Sequence, residues 1–275
     1  LVPVLHFGAV DHDATVWVNG VEVARHRGGF TPFHANLRGV VRPGDTATIV
    51  VRARDSRWDA QARGKQATWH DSTHCQYTRT TGIWQTVWLE GVPAHAIRAV
   101  RTTPSLADHS FDITLPLTHN TKGTRVEVTV GTPEGAPLAT ASARADLDLA
   151  PRVRVAIPEE HVRIWAAGEP ELYSVMARLL DSDGSVIDEV RSYAGLRSTA
   201  LEGTEFRING ERVFQRLVLD QGYWAETLMT APSDEAMLAD IQIALAAGFN
   251  GARLHQKVFE ERMLFFSDLY GYLVW

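Results

Sequence analysis

Residues 77–89 read YTRTTGIWQTVWL and lie where an irregular segment of the chain meets a regular one. The segment from Gln85 to Glu90, before Gly91, is expected to form a β-strand. The preceding Thr-Thr-Gly-Ile-Trp segment is expected to fix how the loop enters this strand, with Trp84 and Trp88 as its apolar anchors. The stretch therefore indicates a β domain.

Upstream, two short strands, 14–18 and 21–24, flank the dipeptide Asn19-Gly20. Asn-Gly is a strong hairpin signal because both central residues of a type I′ turn need φ > 0. Another alternating strand, 46–52, follows a turn that contains Pro-Gly-Asp. Short strands separated by turns predict a β-sandwich or jelly roll over residues 1–96.

The segment 55–81 shows no regular period and is long for a loop inside a sandwich. Loops of this length tend to be functional or disordered. This one is rich in aromatic and imidazole side chains, which argues against simple disorder: Trp58, Trp69, His70, His74 and Tyr77.

A second series of strands follows, and its spacing predicts an immunoglobulin-like β-sandwich over residues 97–200. The expected strands are 111–117, 125–130, 172–180 and 186–192, and the last two are joined by the turn Asp-Ser-Asp-Gly. No pattern in this part indicates ligand chemistry, so we expect it to act as a structural spacer.

Beyond residue 203 the period changes to alternating strands and helices. Short apolar runs over 216–219, 249–254 and 272–275 are separated by helical patterns. The first helix is expected to begin after Ser233 as its N-cap and to end at Gly248. This order is typical of a parallel α/β unit.

Composition sets outer limits on function. The net charge is −6, with acids and bases interspersed, so no nucleic-acid surface is indicated. No apolar run of about 18 residues occurs, so no membrane contact is expected. Cys75 is the only cysteine, which excludes an intrachain disulfide and leaves localisation open between cytoplasmic and secreted.

Taken in order, several motifs resemble those of the retaining glycoside hydrolases of family 2, the β-galactosidase, β-glucuronidase and β-mannosidase group. The motifs are the strand–turn–strand VWVNGVEV at 16–23, GGFTPF at 28–33, TTGIWQ at 80–85, Ile-Trp at 164–165, PELY at 170–173 and YAGLR at 193–197. The resemblance implies that residues 201–275 are the first strands and helices of a (β/α)8 catalytic barrel. Such a barrel needs about 250 residues, so we expect the chain to be part of a longer protein, clipped at both ends.

The resemblance also implies where the chemistry lies. Retaining glycosidases need two carboxyl groups about 5–5.5 Å apart. In family 2 these are glutamates on later barrel strands, and the acid/base glutamate belongs to an Asn-Glu pair. No Asn-Glu dipeptide occurs in the chain, so no catalytic residue is assigned and the chain alone is expected to be inactive.

Substrate contact is what the resemblance implies for this chain. The carboxyl ends of barrel strands face the active site, and there the sequence offers Asp220, Trp224, Arg253 and His255. Family members often carry Asn-x-His near the end of the first strand and Arg-x-Ser-His-Tyr near the end of the second. The chain departs from the first motif at Asp220-Gln221 and from the second at Gln256-Lys257, which leaves the sugar and its ring form open.

Purely structural roles also remain open for these four residues. Asp220 and Arg253 can form a structural ion pair, His255 can be a packing residue, and Trp224, like Trp275, can pack at the top of the barrel.

The long loop 55–81 leaves three interpretations. It packs between domains, it supplies one wall of the sugar pocket, or, least favoured, it binds a metal through His70, His74 and Cys75. A structural zinc site needs four ligands and no fourth is evident nearby.

The expected function is that of part of an exo-acting glycosidase whose partner is a carbohydrate substrate. The alternative is a non-catalytic carbohydrate-binding or structural β-sandwich module. Trp17 and Trp88 alternate with apolar neighbours and are expected to face the sandwich core, which argues against an independent sugar platform.

No cofactor is expected for this chain, and a divalent metal in the longer protein is left open. Since family members are often oligomeric, a homo-oligomer is also an expectation.

Overall fold

The computed structural model describes all residues, 1–275, and is mostly β, with 43% of residues in strands and isolated β-bridges and 9% in helices. The chain divides into two compact units. The first joins Leu1–Val92 with Arg216–Ser267 and Leu273–Trp275, and the second joins Pro93–Gln215 with Asp268–Tyr272. Residues from the two ends of the chain therefore share the first unit.

Eight strands form the amino-terminal part of the first unit. They are β1 Val2–Phe7, β2 Val10–Asp11, β3 Asp13–Val18, β4 Val21–Arg27, β5 Phe33–Asn36, β6 Ile49–Arg54, β7 Gly82–Ile83 and β8 Val87–Val92. Two three-stranded antiparallel sheets, β5-β1-β8 and β4-β3-β6, share one apolar core. That core includes Leu5, Phe7, Val16 and Val18, which are almost wholly buried. The expected sandwich is confirmed in this coarse form.

The Asn-Gly hairpin has the predicted geometry. Asn19 has φ 50° and Gly20 has φ 79°, as a type I′ turn requires. The Asn19 side chain also accepts a hydrogen bond from the Thr48 amide at 2.9 Å, which ties the turn to the residue just before β6. The neighbouring strand begins at Ile49 rather than at Thr46, since residues 45–48 have no regular secondary structure.

The two tryptophans of the TTGIWQTVW stretch differ in burial. Trp84 is buried, and its indole nitrogen donates to the Gly29 carbonyl at 2.7 Å, so it is an anchor as predicted. Trp88 is 44% exposed, so the prediction that it faces the core was wrong. It lies on β8, an edge strand, and on the outer face of its sheet, stacked on His6.

Ten strands form the second unit. They are β9 Arg101–Ser105, β10 Ser110–Thr114, β11 Arg125–Gly131, β12 Pro137–Arg144, β13 Arg152–Ala156, β14 Tyr173–Leu180, β15 Val186–Ala194, β16 Thr199–Glu202, β17 Glu205–Ile208 and β18 Glu211–Arg212, with a 3₁₀ turn at Glu159–His161. The antiparallel sheets β13-β10-β9 and β12-β11-β14-β15 enclose a core that includes Phe111, Ile113, Val128 and Val175. A second β-sandwich is thus present, followed by the small sheet β16-β17-β18.

The carboxy-terminal segment has the predicted alternation of strands and helices. Its elements are β19 Leu217–Asp220, α1 Asp234–Ala246, β20 Gly251–Leu254, α2 Glu261–Tyr270 and β21 Leu273–Val274. The three strands pair in parallel, in the order β19-β20-β21. The Ser233 hydroxyl caps α1 by accepting the Ala236 amide at 3.2 Å, and Gly248 has φ 88° beyond its end, so both helix boundaries are confirmed.

Neither helix is long and apolar enough to cross a membrane.

Candidate functional site

The site lies at the carboxyl edge of the parallel sheet in the first unit. Since β19 and β20 run parallel and in register, Asp220 lies opposite Leu254. The next residue, His255, donates its amide to the Asp220 carbonyl at 2.7 Å. Residues that follow the two strands are therefore held side by side, which is where parallel sheets bind ligands.

Asp220 is a half-buried acid at the end of β19. Its Oδ1 accepts the amide of Gly222 at 2.8 Å, which turns the chain away from the strand. Burial raises the pKa of this carboxyl above its usual range, whereas the Gly222 hydrogen bond and the charge of Lys257 act to lower it. The structure contains no ion pair between Asp220 and Arg253, so that alternative is not seen.

Arg253 and His255 stand together at the end of β20. Arg253 Nη1 and His255 Nδ1 are 2.5 Å apart. Because a guanidinium can only donate, Nδ1 is the acceptor and the imidazole is neutral, with its proton on Nε2. Burial and then the Arg253 charge lower the pKa of His255, which agrees with a neutral ring. The guanidinium also lies 5.4 Å from the centre of the Trp275 ring.

Trp224 belongs to the segment 221–230, here called the mouth loop. Its amide and carbonyl both bond to Leu228, which closes the loop on itself. The indole ring is partly buried, and the Lys257 ammonium lies 5.1 Å from its centre. One face of Trp224 is therefore occupied from within the protein.

The long loop 55–81 reaches this edge of the sheet. Gly64, with φ 63°, approaches Gln256 so closely that a Cβ there would overlap the Gln256 carbonyl oxygen. Tyr77 donates its hydroxyl to the Gln221 side chain at 2.7 Å and stacks on Tyr223, with ring centres 4.0 Å apart. The loop therefore contacts both segments that follow the strands.

Buried polar contacts hold the loop in shape. Arg79 and Asp55 form an ion pair at 2.6 Å, with side chains 8% and 3% exposed. Gln66 donates to Asp11 Oδ2 at 2.8 Å and accepts the Thr80 amide at 2.8 Å. These contacts tie the two ends of the loop to each other and its middle to Asp11 of β2.

The outer part of the loop carries exposed side chains. Trp58 and Trp69 are 76% and 56% exposed and meet edge to face. No group of three or more His, Cys, Asp or Glu side chains is arranged to hold a metal ion. Cys75 lies on the surface beside Lys65.

Sequence reasoning did not find Lys257. This lysine is buried, and its ammonium donates to the carbonyls of Gly222 at 2.5 Å and Met229 at 2.6 Å. Lysine is normally exposed, and nothing in the local sequence distinguishes this one. The partners that enclose it come from three separate parts of the chain.

Replacing Gly64 with alanine tests the contact between the loop and Gln256. The left-handed φ alone costs about 1–2 kcal/mol for a residue with a Cβ, and the overlap adds about 1–3 kcal/mol. Gly44→Ala is the matched control, since Gly44 has φ 88° but open space around its Cβ position. Urea unfolding should show a larger loss for Gly64→Ala than for Gly44→Ala, and equal losses would show that the contact is not tight.

Two protein-family models match the chain. Residues 2–93 match the family model described as "Glycosyl hydrolases family 2, sugar binding domain", and residues 95–197 match the one described as "Glycosyl hydrolases family 2". The two matched regions adjoin, and each coincides with one of the two β-sandwiches.

Curated relatives are glycosidases. A β-glucuronidase of Paenibacillus borealis is 30% identical over 222 residues, which are 76% of this chain and 36% of that protein. A β-galactosidase of Priestia megaterium is 24% identical over 260 residues, which are 90% of this chain and 24% of that protein.

Solved structures share the fold. A β-glucuronidase from Ruminococcus gnavus superposes with a TM-score of 0.82 at 20% identity, over 99% of this chain and 47% of that one. An FMN-binding β-glucuronidase from Facaelibacterium prausnitzii L2-6 gives 0.81 at 25% identity, over 100% of this chain and 42% of that one.

The chain spans less than half the length of each of these relatives. Within that span, the order of the two sandwiches, the parallel strands after them and the matches to both family models agree with one another. The chain belongs to glycoside hydrolase family 2.

Proposed function

We propose that the chain is part of a retaining, exo-acting glycoside hydrolase that removes a terminal non-reducing sugar. In this proposal residues 1–96 are a partial jelly roll, 97–200 an immunoglobulin-like spacer and 201–275 the first strands and helices of a (β/α)8 barrel. Family membership, glycosidase relatives and the parallel β19-β20-β21 sheet support it.

We further propose that Asp220, Trp224, Arg253 and His255 bind the sugar. The observation that carries this is the convergence of a carboxylate, a guanidinium and an imidazole at the carboxyl edge of three parallel strands, with a loop from the sandwich beside them. Asp220 accepts hydrogen bonds from sugar hydroxyls, and such bonds strengthen in the transition state of glycoside hydrolysis. His255, with its proton on Nε2, is a neutral donor.

Arg253 serves the site electrostatically. Its fixed charge keeps His255 neutral and attracts a carboxylate, whether that of the enzyme or that of an acidic sugar. Trp224 offers the sugar only the indole face that Lys257 leaves open.

Catalysis itself is assigned to carboxylates outside this chain. Retention requires a nucleophile that forms a glycosyl–enzyme intermediate and an acid/base that first protonates the leaving group and then activates water. The Asn-Glu pair that family 2 uses for the acid/base does not occur among the 275 residues. The chain alone is therefore proposed to bind sugar weakly and to turn over none.

The configuration of the first product tests this function. Proton NMR during cleavage of an aryl glycoside by the longer protein should show the anomer with the same configuration as the substrate, before mutarotation mixes the two. The inverted anomer would contradict the retaining mechanism. Sugar binding without any cleavage would favour a non-catalytic carbohydrate-binding module.

A further inference from the structure

The environment of Lys257 is unusual for a lysine. Its side chain is buried, and its ammonium forms no ion pair with any carboxylate in the structure. Two backbone carbonyls, of Gly222 and Met229, accept its protons. A buried ammonium without a bonded carboxylate needs other compensation for its lost hydration.

Aromatic rings supply that compensation. Four rings surround the ammonium, with centres 4.8 to 5.6 Å from Nζ: Phe259 at 4.8 Å, Trp84 and Trp224 at 5.1 Å, and Tyr223 at 5.6 Å. Cations within about 6 Å of ring centres are attracted by the ring quadrupole, and by more when both are desolvated. The cage is therefore a site built to hold one positive charge.

The two carbonyl acceptors lie near opposite ends of the mouth loop. Gly222 follows the end of β19 by two residues, and Met229 precedes the end of the loop by one. One ammonium thus fixes both ends of the segment that carries Trp224. Gly222 is adapted to this, because a Cβ there would lie 2.9 Å from Nζ and would overlap Phe259.

The cage also joins the mouth loop to the sandwich. Trp84 and Ala9 of the sandwich form a small buried cluster with Met229 of the mouth loop. Its carbonyl accepts the Thr230 hydroxyl at 2.7 Å, directly after the carbonyl that Lys257 holds. The TTGIW segment therefore provides one wall of the cage.

Three titratable groups face the ammonium from the elements around it. Asp220 and Glu260 favour its charged form, and Glu260 is itself paired with Arg262 at 2.7 Å. Tyr223 stays un-ionised, since burial raises its pKa above the usual range. Burial is the largest effect on Lys257 and lowers its pKa to about 8.

We propose that Lys257 is a positioning residue for substrate binding: its caged ammonium fixes the mouth loop in the shape that presents Asp220 and Trp224. The substrate-binding part rests on the function proposed above. The loop-fixing part is independent of it.

Hydrogen exchange in the mouth loop tests the first part. Amides of residues 221–230 should exchange at least about 10-fold faster in Lys257→Met than in the wild type, since about 1.4 kcal/mol of lost local stability already has that effect. Lys122→Met is the matched control, because Lys122 is an exposed lysine of the second unit and should leave exchange unchanged. Unchanged exchange in Lys257→Met overturns the proposal, whatever the activity.

Lys257→Gln separates the hydrogen bonds from the charge. Its amide group keeps two N–H donors but carries no charge, so its exchange rates should lie between those of the wild type and Lys257→Met.

If neither variant folds, exchange in the wild type at pH 7 and pH 9.5, corrected for intrinsic rates, tests the same point. Deprotonation on crossing the pKa of about 8 should speed exchange in residues 221–230 selectively, and no selective change overturns the proposal.

Kinetics of the longer protein test the second part. On an aryl glycoside that it cleaves, Lys257→Met should raise KM about 10-fold or more and change kcat less than about 3-fold. A variant that only destabilises the fold leaves KM unchanged.

The outcomes are distinguishable. Faster exchange with unchanged KM overturns the role in substrate binding. A wild-type protein that cleaves no glycoside contradicts the proposed function, and the exchange experiment still decides whether Lys257 fixes the loop.

Discussion

In the longer protein proposed above, we expect Asp220→Asn to lower kcat/KM for the preferred glycoside by about 10- to 150-fold. The estimate follows from the loss of a charged acceptor for sugar hydroxyls, since hydrogen bonds to charged groups contribute about 1.5–3 kcal/mol. Asparagine keeps the shape of the side chain and one carbonyl oxygen, so it can still cap the Gly222 amide. The effect should therefore arise from the substrate rather than from the loop.

Glu226→Gln is the control for this change. Glu226 is an exposed acid of the same mouth loop, and its neutralisation should leave kcat/KM within about 2-fold, because an exposed charge is screened at ordinary ionic strength. Steady-state kinetics of both variants, with far-UV circular dichroism to check folding, provide the comparison. Equal losses in the two variants would remove Asp220 from the proposed sugar site.

The largest loss of stability is expected from Arg79→Met. The ion pair of Arg79 and Asp55 is almost fully buried, and the guanidinium bonds the Asp55 carboxylate and its backbone carbonyl. Removing one partner leaves the other buried and uncompensated, which typically costs about 3–5 kcal/mol. Gln61 and Thr81 remain as partners of the carboxylate but carry no charge.

Arg27→Met is the matched control on the same sandwich. Arg27 pairs with Asp13 at 3.3 Å, but both side chains are well exposed, at 67% and 44%. Such a pair contributes at most about 1 kcal/mol. Urea unfolding followed by tryptophan fluorescence should show a large shift of the midpoint for Arg79→Met alone. Asp55 and Arg79 lie at the two ends of the long loop. A similar small shift of the midpoint in both variants would therefore mean that the loop is held by other contacts.

The sequence predicted those features that depend on local chemistry. Asn19-Gly20 demanded a turn with positive φ at both positions, and Ser233 and Gly248 set the ends of a helix. Each of these signals involves a few neighbouring residues and so appears in a single sequence. The parallel order of β19, β20 and β21 followed from the alternation of strands and helices.

The sequence did not predict features that depend on contacts between residues far apart in the chain. Trp88 was expected to face the core, yet it faces outward, because its burial depends on which strands flank β8. The cage of Lys257 draws its rings from residues 84, 223, 224 and 259, and no local pattern links those positions. The four site residues were chosen from strand ends, and their side-chain partners could not be foreseen.

The most direct test is the initial rate of 4-nitrophenol release from a panel of 4-nitrophenyl pyranosides and furanosides. The longer protein and the 275-residue chain should be measured in parallel, both free of host glycosidases. The account predicts turnover of one sugar by the longer protein and none by the chain alone, which has substrate contacts but no catalytic pair. Turnover by the chain alone, or no turnover of any glycoside by the longer protein, would contradict it.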